Sequence, residues 1–207
     1  MTWEEFDAYI FDVDGTLYSQ KRLRISMMFR LLAHYAIRPH RLKEIIILHC
    51  FRNCREKKEY KDKTIDELCS TLEERFNESY DTIYRIIKKW MFIVPLDLVK
   101  KYKYKDVISF INQQYVSRKT IVIYSDYPAI DKLEAIGINY NKVFVSGENG
   151  IVEQKPSWSA MNTLLSEISI PVNKLCYIGD RDDKDRASAE MIKVKYYDIR
   201  EFLKIIR

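Results

Sequence analysis

At 207 residues, 47% of them hydrophobic and 31% charged, the chain fits one domain, or one domain carrying an insertion, with ample core material. Five Gly and five Pro exclude a low-complexity or collagen-like chain, and no run approaches the ~18 apolar residues of a membrane span. The net charge of +5 is uneven: residues 19–100 hold 18 Lys and Arg against 11 Asp and Glu, so an anionic partner is indicated, either a phosphorylated substrate or nucleic acid.

The N-terminal "MTWEEFDAYIF" is acidic and lacks a basic flank before a long apolar region, which predicts no signal peptide and a cytoplasmic protein. The first strand is expected at 9–11 and runs straight into Asp12, Asp14 and Gly15. Two carboxylates one residue apart repel unless a cation or a shared proton relieves them, and a turn accounts for only one of them. From Gln20 to Lys101 the pattern is helical. "KRLRISMMFRLLAHYAIR" ends before Pro39 and "HRLKEIIILHCFRNCREKKEY" follows. "TIDELCSTLEERF" opens with Thr64 and Glu67 at capping-box spacing, and "YDTIYRIIKKWMFIV" closes the group before Pro95. His49, Cys50 and Cys54 lie on the second of these helices. With no second pair at zinc spacing, they read as reduced, partly buried helix residues.

Beyond residue 104, apolar strand candidates at 119–125, 141–146, 174–179 and 194–199 alternate with helices at about 104–118, 128–136, 156–168 and 183–192. That order predicts an α/β fold, an open parallel Rossmann-like sheet with helices on both faces. The expected division is a core of residues 1–18 and 101–207 with an all-helical cap subdomain of residues 19–100 inserted after the first strand.

Ligands of such sheets bind beyond the carboxyl ends of the strands. Strand one delivers Asp12 and Asp14 there, strand two Ser125 and Asp126, the segment after strand three Lys155, and strand four Asp180 and then Asp185. Each alone is an ordinary turn or helix-start residue; together, in this order, they form a candidate site.

In these motifs the chain resembles the haloacid dehalogenase superfamily, specifically phosphatase-like members with a helical cap after the first strand. The resemblance rests on Asp12-Val-Asp14-Gly-Thr16-Leu17, Ser125, Lys155-Pro156, and Gly179-Asp180 with Asp185, and it spans the whole chain. It implies a Mg²⁺-dependent phosphatase acting on a small phosphorylated metabolite through an aspartyl-phosphate. Asp12 would be the nucleophile and Asp14 the proton shuttle, kept protonated by crowding from Asp12. Asp12, the Asp14 main-chain carbonyl, Asp180 and Asp185 would serve the metal, Asp185 by orienting a metal-bound water. Ser125, the amides at Asp126 and beyond, and Lys155 would bind the phosphoryl group. Dehalogenating members lack the second acid. The chain departs from the family pattern with extra acids at Asp182 and Asp183, and with Ile192-Lys193 where Ala-Gly often stands. A phosphomutase acting on a sugar phosphate is the alternative chemistry. A non-catalytic protein binding through the basic cap is the alternative class, although no stacking motif such as an RRM signature supports a nucleic-acid partner.

Overall fold

The structure, a computed structural model, describes residues 5–148 and 151–207. Residues 1–4, at the head of the segment read as lacking a signal peptide, lie outside them. Five strands, β1 Ala8–Phe11, β2 Thr120–Ser125, β3 Lys142–Val145, β4 Leu175–Gly179 and β5 Lys195–Asp198, form one parallel sheet ordered β3-β2-β1-β4-β5. The sheet is the predicted one, with ends shifted by a residue or two. Phe11 is paired with Ile123 on one side and Ile178 on the other. Asp12 therefore leaves the sheet level with Gly179 and one residue short of Ser125. Because the chain crosses to opposite sides of β1 in its two halves, a crevice opens at that strand's carboxyl end.

Every residue of β1 is buried, as two covered faces require. Tyr9, Phe11, Ile121 and Ile123 pack against α6 (Lys105–Val116), α7 (Ile130–Ile136) and α10 (Ile199–Ile205). Ala8, Ile10, Val122 and Tyr124 face α8 (Trp158–Ile168) and α9 (Ala187–Met191).

Between β1 and α6 stand α1 (Gln20–Ala36), α2 (Lys43–Glu56), α3 (Ile65–Phe76), α4 (Tyr80–Ile87) and α5 (Leu96–Tyr102). They enclose a hydrophobic cluster of their own, centred on Ile47, Phe51, Leu68, Leu72 and Ile83. The capping box of α3 is formed in both directions, the Thr64 side chain accepting from the Glu67 amide and Glu67 accepting from the Thr64 amide. Two features differ from the expected pattern. The helix α4 passes into a π-helical turn over Lys88–Ile93, and a further helix, α5, begins directly after Pro95. Proline is well suited to that position, since it starts helices as readily as it ends them.

The helical group joins the sheet through two strands of chain lying side by side. The Ser19 amide donates to the Tyr102 carbonyl (3.0 Å) and the Tyr104 amide to the Leu17 carbonyl (2.9 Å), a short antiparallel ribbon. Before β5, Lys193 adopts a left-handed conformation (φ 56°), a backbone region that glycine enters more freely. No helix among the described residues is long and apolar enough to cross a membrane.

Candidate active site

Asp12, Asp14, Ser125, Asp126, Lys155, Asp180 and Asp185 all line one cavity at the carboxyl end of the sheet. Sequence separations of more than a hundred residues close here into direct contacts. Lys155 is the hub: its buried ammonium donates to Asp12 Oδ1 (2.5 Å), Asp185 Oδ1 (2.7 Å) and the Tyr124 carbonyl (3.2 Å). Thr16 donates to Asp12 Oδ2 at 3.1 Å. The turn that aims these groups depends on Gly15, whose φ is +105° and whose missing side chain would collide with the Asp180 carboxylate.

Asp12, Asp180 and Asp185 each present a carboxylate oxygen within 4.8 Å of the others, and no other such group of acidic, His or Cys ligands occurs among the described residues. Three carboxylates around one lysine leave two surplus negative charges. Burial and the Asp185 charge push the Asp12 carboxyl well above its usual range, against the pull of Lys155. Burial and Asp185 likewise push Asp180 up to about 6. Lys155 stays cationic, because Asp12 and Asp185 outweigh its own burial.

The two loop acids play different parts. Asp185 is saturated: its Oδ1 also accepts from the Tyr177 hydroxyl (3.2 Å), and its Oδ2 accepts from the amides of Asp180 and Arg181 (3.1 Å each). Asp180 Oδ1 is buried and has no hydrogen-bond partner among the described residues. A buried carboxylate oxygen without a donor, inside a cluster of hard oxygen ligands carrying surplus negative charge, fits a divalent cation such as Mg²⁺. Of the two, only Asp180 keeps an open carboxylate oxygen for such an ion, since both oxygens of Asp185 are already taken by donors. Asp182 and Asp183 point away and pair with Arg186 and Arg181.

Asp14 differs from the expectation. Its carboxylate stands outside the cluster, accepting from Lys132 Nζ at 2.6 and 2.9 Å and from the Tyr18 hydroxyl. Burial pushes its carboxyl up, but Lys132 and Tyr18 outweigh that and bring it below the usual value. A lysine, and not a proton forced on it by Asp12, relieves the crowding of the two acids. The side chain of Asp126 is also committed elsewhere, to the Ser146 hydroxyl (3.1 Å), the Lys155 amide (2.9 Å) and Lys184 Nζ (2.8 Å). What Asp126 can offer a substrate is its main chain. The Ser125 hydroxyl accepts from the Tyr127 amide (3.2 Å) and keeps its own proton to donate.

Tyr18, Lys132 and Lys184 are site residues that the sequence reading missed. A lysine in "AIDKLEAIG" reads as a surface residue of a short helix, and only the pairing of β1 with β2 brings it to Asp14. His49, Cys50 and Cys54 form no cluster: both cysteines are buried and unbridged, while His49 is exposed and shares a hydrogen bond with Asn53 (2.9 Å).

The fold is shared with solved structures of low sequence identity. YfnB of Bacillus subtilis, described as a HAD-hydrolase bound to magnesium, aligns with TM-score 0.62 at 16% identity over 97% of this chain and 96% of that one. A 2-haloacid dehalogenase of Pseudomonas syringae aligns at 0.62 with 13% identity over 92% and 85%. A HAD-superfamily hydrolase of Geobacter sulfurreducens aligns at 0.58 with 15% identity over 98% and 97%. No curated protein matches the chain in sequence. The family model for haloacid dehalogenase-like hydrolases matches residues 9–199, from the first strand to the residue after the last. With that span matched and the sheet in place, the chain belongs to the haloacid dehalogenase-like hydrolase family.

Proposed function

We propose that the protein is a Mg²⁺-dependent phosphatase that hydrolyses a phosphate monoester through an aspartyl-phosphate on Asp12, with residues 19–100 serving as a cap over the site. The observation that carries this reading is the segregation of the two acids after β1. Asp12 belongs to the carboxylate cluster and Asp14 does not, yet both line the same cavity. Displacing a halide requires no proton. Expelling an alkoxide does, and a second carboxyl outside the metal ligands is the group that supplies it.

Asp12 attacks phosphorus, the ester P–O bond breaks, and the departing oxygen takes its proton from Asp14. Water then attacks the phosphorus of the aspartyl-phosphate and gives a proton to Asp14, which restores Asp12 and releases phosphate. Asp14, drawn to its ionised form by Lys132, is set for the second step; the first requires that it arrive protonated. Lys155 and the Ser125 hydroxyl hold the phosphoryl oxygens, and Thr16 fixes the plane of the nucleophile. Mg²⁺ held by Asp12, Asp180 and the Asp14 main-chain carbonyl, with Asp185 behind them, would neutralise charge on the phosphoryl group. The magnesium in YfnB, which shares this fold, supports that choice of ion.

The test is Asp12→Asn. Phosphate release from p-nitrophenyl phosphate in Mg²⁺ should fall by about 10³-fold or more, with an unchanged circular dichroism spectrum. Undiminished turnover would refute the assignment. Product analysis on sugar phosphates separates a phosphatase, which yields inorganic phosphate, from a mutase, which yields an isomeric ester.

A further inference from the structure

The cavity containing Asp12 and Lys155 has a volume of about 920 Å³, near the upper end of the ~300–1,000 Å³ typical of small-molecule sites. A phosphoryl group fills only a small part of it. Away from the sheet its walls are one face of α1 and one face of α2. The lining positions on α1, among them Gln20, Arg24, Met27, Leu31 and Leu32, recur at helical spacing, as do Ile45, Leu48, Arg52 and Glu56 on α2.

The two helices run antiparallel. Near the end of α1 the Tyr35 hydroxyl donates to Glu44 near the start of α2 (2.8 Å). At the other end, α1 begins two residues after Tyr18, the donor to Asp14, and α2 ends at Glu56, which pairs with Arg181 at 2.9 Å. Gln20, Arg24, Arg52 and Glu56 therefore lie toward the catalytic groups and Leu31, Leu32 and Ile45 beyond them, with His49 and Asn53 between. Trp90 closes the distal end, its ring 4.9 Å from that of His34. From Gln20 to Leu32 the gradient runs ~18 Å at 1.5 Å per residue.

The geometry points to a substrate that is the phosphate monoester of an amphiphilic alcohol, with an apolar chain or ring system lying against Met27, Leu31, Ile45, Leu48 and Trp90. This rests on the phosphatase reading for the position of its headgroup. A sugar or a short hydroxy acid would place hydroxyls against Met27, Leu31, Ile45 and Leu48, which offer them no partner, while the polar side chains at that level, His49 and Asn53, are engaged with each other (2.9 Å). An apolar tail is stabilised there by leaving water, and methionine side chains adapt to its shape. Arg24 and Arg52 make no ion pair among the described residues and stand on the site side of the apolar wall, where they favour the anionic head over the tail.

Binding of non-hydrolysable methyl-, butyl- and octylphosphonate and of a hexose phosphonate, measured by calorimetry on the full chain with Mg²⁺, tests this without requiring turnover. Affinity should rise about two- to fourfold per methylene from butyl to octyl, and octylphosphonate should bind at least ~10-fold tighter than the hexose compound. Leu31→Glu should cut the octyl-to-butyl ratio at least ~5-fold. Met28→Glu, at a half-exposed position of the same wall, replaces it if that variant does not fold. Phe29→Ser, on the outer face of the same helix and 62% exposed, should leave the ratio unchanged. Equal affinity for butyl and octyl, or an equal loss in the Leu31 and Phe29 variants, overturns the proposal. Chain-length-dependent binding without hydrolysis of p-nitrophenyl phosphate would instead remove the phosphatase chemistry and leave the apolar subsite standing.

Discussion

Asp126 shows how a side chain at the mouth of a site can belong to its frame. Burial pushes its carboxyl up, but Lys155 and Lys184 draw it down further, so its folded value lies below the ordinary one. A depressed carboxyl stabilises the fold above the unfolded value of about 4 and loses that contribution as pH falls through the folded value. Asp126→Asn should therefore lower stability at pH 7 by about 1–3 kcal/mol, and the gap from wild type should narrow below pH ~4. Urea midpoints at pH 7 and pH 3.5 read this directly; a gap of constant size at both would mean that the charge contributes nothing. Asp12, Asp14, Ser125, Asp126 and Asp180 were legible in the sequence because each follows a short apolar run at a strand end, whereas Lys155 and Asp185 lie further along the chain and stood out by their order with these. The partners of these groups were not legible. Lys132 meets Asp14 across 118 residues, and Tyr18 reads as one more aromatic in a chain with fifteen tyrosines. The protonated state expected of Asp14 failed for the same reason, since a charge balance needs every neighbour and sequence supplies only adjacent ones.

At the scale of elements, the strands and most of the helices follow from periodicity, and the errors fall where one residue type carries two meanings. Pro95 was read only as a stop, although α5 begins there. At the Ile192-Lys193 departure the lysine is left-handed. A non-glycine residue in that conformation costs about 1–2 kcal/mol. Lys193→Gly should stabilise the chain by about 0.5–1 kcal/mol after glycine's greater chain entropy is counted, raising Tm by about 2 °C. A scan showing a lower Tm would mean that the lysine side chain contributes a contact worth more than its backbone strain.

Across the whole molecule, the helical group is held to the sheet by an unusual side chain. Arg55 is 1% exposed and meets no carboxylate among the described residues. It donates instead to the carbonyls of Lys63 (2.6 Å), Asp126 (2.6 Å) and Ser146 (3.4 Å), tying α2 to the residues that follow β2 and β3. Burial lowers its hold on the proton, against the pull of Tyr127, Asp126 and Glu56. Arg55→Leu leaves those carbonyls without donors and should cost about 1–3 kcal/mol. Hydrogen exchange should accelerate in α2 and around residues 126–127 while β1 and β4 stay protected. Uniform acceleration would show instead that the two halves unfold as one.

The pair of chain segments at Leu17–Ser19 and Tyr102–Tyr104 carries a mechanical consequence. Tyr18 lies within that ribbon, and its hydroxyl reaches the carboxylate of Asp14. Any rotation of the helices about the ribbon swings the phenol with them. On the proposed reading, in which the helices are a cap and Asp14 carries the proton, the angle of the cap and the freedom of Asp14 would change together, so a molecule gripping the helices would loosen or seat that acid from a distance.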